Sequence, residues 1–340
     1  MSTLDRAASR PRVAVIGTGG TFAMHGRNAY DWVEYSESGV VHSIDTLLGD
    51  IDDLGLDIEV LPVTFRALGS TGIVPADWLE LARLIADTAK ADPSIAGFVV
   101  THGTATMEET AWFLDLALNV EVPVVLTGAQ RPKNTSGSDA MANLRGALAV
   151  ASSDVARGFG VLLVMGGSVF PARDATKTSS FDLDAFEAVP FGPLGRIDAD
   201  GHVTIRRRPF IANSERWHAT LDKVTALPRV DMVISYAGAD GSAIDSFVAL
   251  GAKGLISVGL PPGRPANGER DALKRAVAAG VVVVQTSRAA RGNVPPQNFL
   301  ARDGILAGGD LAAHKLRIML MLALCESADP QRVQRIILDA

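Results

Sequence analysis

A chain of 340 residues exceeds what one hydrophobic core ordinarily serves, so two domains are expected. Apolar residues at 47% and charged residues at 21% exclude a disordered chain. The net charge of −6 argues against a surface for nucleic acid or anionic membrane, and a single cysteine, Cys325, excludes an internal disulfide or a cysteine-based zinc site.

The segment Met1–Arg12 lacks the apolar core of a signal peptide, and no window reaches the ~20 continuous apolar residues of a membrane span. A cytoplasmic location with no membrane partner is the expectation. Val13–Ile16, Ile58–Leu61, Gly97–Val100, Pro123–Leu126 and Val161–Val164 are short apolar runs that read as strands. Continuous runs of this kind fit strands buried on both faces, as in a parallel sheet covered by helices. Between them Trp78, Leu81, Ile85 and Ala89 mark one face of a helix that begins near Pro75.

From Arg206 to Pro228 the pattern loosens into a polar connection; Arg206, Arg207 and Arg208 read there as a solvated stretch. A smaller alternation follows, with strand-like runs at Met232–Tyr236, Leu255–Val258 and Val281–Val284 and helical patterns near 243–251 and 270–279. Helices at about 309–325 and 330–338 close the chain, the first placing Cys325 at the end of an apolar run as a buried, inert thiol. The expected architecture is an α/β N-terminal domain over 1–205 with a doubly wound, mostly parallel sheet, a linker over 206–228, and a smaller α/β domain over 229–340.

Ligands of open α/β sheets sit beyond the carboxyl ends of the strands, and two loops there stand out. Gly17-Thr18-Gly19-Gly20-Thr21 follows the first strand, with glycines for close backbone approach and a hydroxyl at the rim. A dinucleotide fingerprint needs glycine at position 22, where this chain has Phe22; phosphate loop, catalytic loop and tight turn stay open on these residues alone. Thr101-His102-Gly103-Thr104-Ala105-Thr106 follows the third strand. Thr106 with Glu109 matches a capping box, which explains Thr106 structurally. Thr104 precedes that cap, in a loop whose backbone N–H groups suit an oxyanion. His102 reads as a structural side chain bonded to nearby backbone, and the six histidines form no metal set.

Together, Gly19-Gly20-Thr21-Phe22-Ala23 and Thr101–Thr110 resemble the two signatures of bacterial-type L-asparaginases. The resemblance extends through Gly128-Ala129-Gln130-Arg131-Pro132, Ser138-Asp139 with Asn143-Leu144, Arg173–Thr178, Phe191–Gly195 and the lysine-containing helix after Gly309. It implies Thr21 as acyl-accepting nucleophile, Tyr35 (with Tyr30 as competitor) as the loop tyrosine that polarises it, Thr104 as the second active-site threonine and Lys177 as its partner. It further implies Ser70 as the holder of a substrate carboxylate, with Gly20, Gly103 and position 105 also lining the substrate site. The implied chemistry is acyl transfer on a small-molecule amide without metal or cofactor, in a homotetramer built from intimate dimers. An alkyl hydroxyl needs a neighbouring proton acceptor to attack, and a desolvated lysine or a tyrosine can serve.

The chain departs from the family pattern at Ala105, where the motif has an aspartate that binds the substrate α-ammonium and contacts the lysine. Arg291–Asn298 has no acid, and Tyr236–Asp240 lacks the usual asparagine, where a neighbouring subunit supplies a glutamate and an asparagine to the pocket in periplasmic members. Two readings follow: an enzyme for an amide, lactam or imide lacking an α-amino group, or an asparaginase-like binding protein of impaired turnover. The rival classes, a nucleotide-binding oxidoreductase and an ammonia-feeding amidotransferase subunit, fit the sequence less well.

Overall fold

The computed structural model describes residues 10–49, 54–209, 217 and 223–339, and the chain divides into two compact units, Met1–Ile211 and Ala212–Ala340. Much of the expected connection at 206–228 lies outside the described residues; Arg206, Arg207 and Arg208 are described and exposed.

In the first unit β1 (Arg12–Gly19), β2 (Glu59–Leu68), β3 (Ile95–Thr101), β4 (Val124–Thr127) and β5 (Val161–Met165) run parallel. They are the five runs legible in the sequence. Three further strands, β6 (Ser168–Pro171), β9 (Gly195–Ile197) and β10 (Val203–Ile205), extend the sheet antiparallel. The order is β10-β9-β6-β5-β4-β3-β1-β2. The antiparallel strands were not legible because they are only three or four residues long and carry no sustained period-2 pattern. A separate ribbon pairs β7 (Thr176–Lys177) with β8 (Phe186–Glu187).

Helices α1 (Ile44–Gly49), α2 (Pro75–Ala91), α3 (Met107–Ala117) and α4 (Ala140–Ala151) cover this sheet. Alternate residues of the parallel strands serve opposite faces. Val13, Val15, Val99, Val125, Leu162 and Val164 form one core with Ile44 and Leu47 of α1 and Leu144, Ala147 and Leu148 of α4. Ala14, Ile16, Phe98, Val100, Leu126 and Leu163 are also fully buried, on the face where α3 packs on β4 and β5 and against α2. Burying both faces explains the unbroken apolar runs of β1, β3, β4 and β5, each such side chain contributing about 1.5–3 kcal/mol. The run at 58–61 in β2 departs from that expectation, because β2 stands at the sheet edge and is only partly covered. Helix α2 starts where the sequence allows: Pro75 occupies its first turn and the Asp77 carboxylate accepts the Val74 N–H at 2.9 Å.

Strand order reverses at β1, which has β2 on one side and β3 on the other. The chain goes out to β2, returns across β1 to β3, and continues outward. The crevice between the carboxyl ends of β1 and β3 is therefore the topological switch point, where doubly wound sheets bind ligands.

The second unit holds a parallel sheet of order β11-β12-β13-β14, formed by Val230–Ile234, Gly254–Gly259, Val282–Ser287 and Leu306–Ala307. Helices Ser242–Ala249 and Arg270–Ala278 bury Ile244, Ala272, Leu273 and Ala276 with Val233, Leu255 and Val283. Helix Ala313–Glu326 packs on β11 and β12, and helix Pro330–Leu338 packs against it. Cys325 is half-buried, and that burial pushes its thiol up from the ordinary value. Among the described residues no helix is long and apolar enough to cross a membrane.

Candidate active site

The loops after β1 and β3 meet through glycine backbone. Gly20 has φ +75°, and a Cβ there would stand 2.3 Å from Gly103 Cα. A Cβ on Gly103 would stand 2.2 Å from Ser70 Cβ. Thus Gly20, Gly103 and Ser70 form one close-packed floor that larger residues would pry apart. The Thr18 hydroxyl donates to Thr101 O at 3.0 Å and ties the two strand ends together. The Gly20 N–H is spent on Leu68 O at 2.9 Å, so Gly20 contributes proximity rather than a donor.

We predict that Gly20→Ala lowers stability by about 1–3 kcal/mol through the strained φ and the clash. The displaced Thr21 should then cost about 10²-fold or more in turnover. Denaturant melts and rates on the same preparation check this; an alanine variant with wild-type values of both would contradict the packing argument.

Thr21 is buried, and its hydroxyl lies 2.7 Å from the Tyr35 hydroxyl. Tyr30 is 71% exposed, so of the two candidate tyrosines the fold brings Tyr35 to Thr21. Its loop is closed at the base by a β-bridge between Met24 and Val41. Inside, buried Asp31 accepts from the Arg27 Nε at 2.8 Å and from the Glu34 N–H at 3.1 Å. The Arg27 hydrogen bond, foremost among several, holds the Asp31 carboxyl below its ordinary range. Asn134 fastens the loop from outside, accepting the Gly26 N–H at 2.8 Å and donating to Gly26 O at 2.7 Å. The Arg131 guanidinium covers the Trp32 ring at 4.0 Å.

Thr104, also buried, accepts a hydrogen bond from Lys177 Nζ at 2.7 Å. The β7–β8 ribbon delivers this lysine, and Glu108 of α3 accepts its backbone N–H at 3.3 Å. Lys177 also donates to Gln130 Oε1 at 2.9 Å. Burial lowers its proton affinity from the ordinary lysine value, and the charges of Asp139 and Glu108 oppose only part of that.

Gln130 follows β4, at the same end of the sheet. Its backbone N–H and that of Arg131 donate to the Asp139 carboxylate at 3.0 and 3.1 Å. Asn143 links Asp139, at 2.8 Å, to Gly128 O, at 3.0 Å. The scattered motifs at 128–132, 138–139 and 143 are therefore one hydrogen-bonded assembly. Gln130 had no role in the sequence reading; its place after a buried parallel strand was the signal that could have found it.

His102 is wholly buried. Its Nδ1–H donates to Gly103 O at 2.8 Å, which leaves Nε2 to accept from the Thr110 hydroxyl at 2.9 Å. Thr110 in turn accepts from Trp78 Nε1 at 2.9 Å. This chain orients the Gly103 carbonyl and so the peptide that presents Thr104. Burial pushes the His102 pKa down from 6.5 to about 4, against the pull of the Gly103 bond. Because the unfolded chain binds this proton first, stability should fall by about 3 kcal/mol as pH drops from 6.5 to 4. His102→Gln should lose stability at pH 7 but show a flatter slope across that window in chemical melts; equal slopes would remove the argument.

Thr106 occupies the N-cap of α3, but its side chain does not cap the helix. Its hydroxyl instead donates to Ser70 O at 2.7 Å, fastening the Ser70 segment to the Thr104 loop. The capping-box expectation for that hydroxyl is corrected, because a tertiary acceptor outcompeted the local one. Ala105 is exposed and presents only a methyl group beside Thr104. Among the described residues no cluster of histidine, cysteine, aspartate or glutamate could hold a metal ion.

Residues 12–210 match the N-terminal asparaginase family model, and residues 229–337 match the glutaminase/asparaginase C-terminal domain. The chain belongs to the bacterial-type asparaginase family, a family of amidohydrolases. Within it, the chain is 34% identical to L-asparaginase 2 of Escherichia coli, covering 97% of this chain and 93% of that one. It is 33% identical to a probable periplasmic L-asparaginase of Haemophilus influenzae, over 98% and 94%. A glutaminase-asparaginase of Pseudomonas fluorescens shares 30%, over 95% and 89%. The crystal structure of a probable cytoplasmic L-asparaginase from Campylobacter jejuni superposes with a TM-score of 0.90 at 32% identity, covering 97% and 99%.

Proposed function

We propose that the chain hydrolyses a small, side-chain-type carboxamide to the acid and ammonia through a threonine acyl-enzyme. One observation carries this reading: two separately polarised hydroxyls, Thr21 with Tyr35 and Thr104 with Lys177, stand on neighbouring loops at the switch point. Thr21 Oγ1 attacks the amide carbonyl carbon, its proton passing toward Tyr35. The C–N bond breaks, the nitrogen leaves as ammonia with that proton, and an ester to Thr21 remains. Lys177, acting through Thr104, takes a proton from water as it attacks the ester; the acid leaves and the Thr21 hydroxyl is restored. Backbone N–H groups around Thr104 are the proposed oxyanion donors, and Ser70 the holder of a substrate carboxylate, with Gly20 and Gly103 shaping the floor.

Ala105 favours a substrate without an α-amino group, since a desolvated ammonium needs a fixed anion and an exposed methyl supplies none. Under this reading the protein is a cytoplasmic homotetramer; the similar Campylobacter jejuni protein, described as cytoplasmic, supports the compartment. Ammonia release from L-asparagine, L-glutamine and succinamate-type amides tests the reaction, with acid-quenched peptide mass spectrometry to find the acyl adduct. An adduct on any side chain but Thr21, or no ammonia from the whole panel, would defeat the proposal.

A further inference from the structure

Gln130 is more than nine-tenths buried, and its Oε1 accepts from Lys177 Nζ at 2.9 Å. In its ammonium form the lysine can only donate there, so the amide presents its oxygen to the lysine and turns its nitrogen away. That leaves Gln130 Nε2 buried with no hydrogen-bond partner in the protein. An apolar side chain of the same size would fill this place without stranding a donor. The oxygen therefore needs a use that outweighs the stranded nitrogen, and Lys177 is its partner.

We infer that Gln130 is a positioning residue, holding Lys177 in line with Thr104 and setting the direction in which their shared proton moves. The inference rests on the acyl-transfer reading above. A neutral lysine has one lone pair and two N–H bonds. With one N–H directed to Gln130 Oε1, the lone pair can turn toward the Thr104 hydroxyl. Lys177 then accepts that proton as Thr104 takes one from the attacking water, and the ammonium returns it when the ester oxygen of Thr21 leaves. Because the amide is uncharged, it accepts from the lysine in both protonation states without fixing the ammonium form. A carboxylate in its place would hold the proton on the lysine. The charged groups that bear on Lys177 are Glu108 from α3 and Asp139 ahead of α4; from β8 the Phe186 ring lies 6.0 Å from Nζ. Glu108 and Asp139 are already engaged by backbone N–H donors, so Gln130 is the neutral acceptor that holds Lys177 beside the Thr104 hydroxyl.

The test compares the full chain with Gln130→Met, which keeps volume but removes the acceptor, and Gln130→Glu, which keeps the acceptor and adds charge. Two readouts are taken: the pH–rate profile on an amide that is turned over, and the pH dependence of Lys177 acylation by a small amine-reactive anhydride, read by peptide mass spectrometry. Gln130→Met should lower kcat about 10- to 100-fold at every pH with KM within about threefold, and the labelling midpoint should fall. Gln130→Glu should raise the acid limb and the labelling midpoint by at least about one pH unit, and recover to within about threefold of wild-type kcat above that limb. A methionine variant with wild-type kcat and labelling midpoint, or a glutamate variant whose midpoint stays in place, overturns the inference. Labelling reads Lys177 without turnover, so a chain that released no ammonia would refute the acyl-transfer reading separately. Either variant decides the matter should the other fail to fold.

Discussion

Thr21→Ala is expected to reduce ammonia release by about 10³-fold or more while leaving the melting profile close to wild type. The effect on rate should be large because, in the proposed reaction, this hydroxyl forms the bond that replaces the amide, and it is the hydroxyl in contact with Tyr35. The effect on stability is small because removing the side chain deletes one hydroxyl–hydroxyl contact and a methyl group, leaving the glycine floor intact. Tyr35→Phe should retain the ring but lose the proton acceptor, lowering kcat by about 10²–10⁴-fold. Steady-state rates with circular dichroism melts distinguish the two outcomes. A Thr21→Ala enzyme within tenfold of wild type would remove Thr21 as nucleophile, and Thr104 would become the remaining hydroxyl to test.

Ala105→Asp is expected to produce the second large change, in substrate choice. A carboxylate there would stand beside Thr104 and near Lys177, where Glu108 and Asp139 are already occupied by backbone donors. It should supply the anion that an α-ammonium lacks in the unaltered pocket. A desolvated charge-assisted pair of that kind is worth about 2–5 kcal/mol, or roughly 30-fold to several thousand-fold in kcat/KM for L-asparagine. The same charge should raise the proton affinity of Lys177, which burial now lowers, and move the acid limb of the rate profile upward. Succinamate-type amides should lose, since their unsubstituted carbon would face a new anion. If the aspartate variant becomes a strong asparaginase and the parent chain hydrolyses nothing, the different-substrate reading fails.

Much of this molecule is legible along the chain. Four of the five parallel strands, β1, β3, β4 and β5, announce themselves because burial on both faces demands unbroken apolar runs. The edge strand β2 shows only a short run and is partly exposed along its length; Pro75 and Trp78 place α2 by local geometry alone. The loops at 17–21 and 101–106 stand out because they place glycine and threonine directly after apolar strands, at the end of the sheet where ligands sit. The short antiparallel strands escape notice, since the neighbouring strand rather than their own residues decides that they pair.

The finer contacts are of another kind. Thr106 bonds Ser70 across 36 positions, Lys177 reaches Gln130 across 47 and Thr104 across 73, and Asn134 latches Gly26 across 108. Each depends on which of several acceptors lies nearest once the sheet order is set. Local rules offered Thr106 a helix cap, and the resemblance left Tyr30 and Tyr35 open because the loop that carries them aligns loosely with the family pattern. By itself the sequence determined the layered α/β plan and the two strand-end loops, which follow from periodicity and short-range sterics, while the residues of the chemistry were implied by the resemblance to the asparaginase signatures. Only the tertiary structure decided that Tyr35 rather than Tyr30 meets Thr21, that Gln130 joins Lys177 and that Thr106 bonds Ser70, because hydrogen-bond partners are chosen by distances of a few tenths of an ångström between segments far apart in the chain.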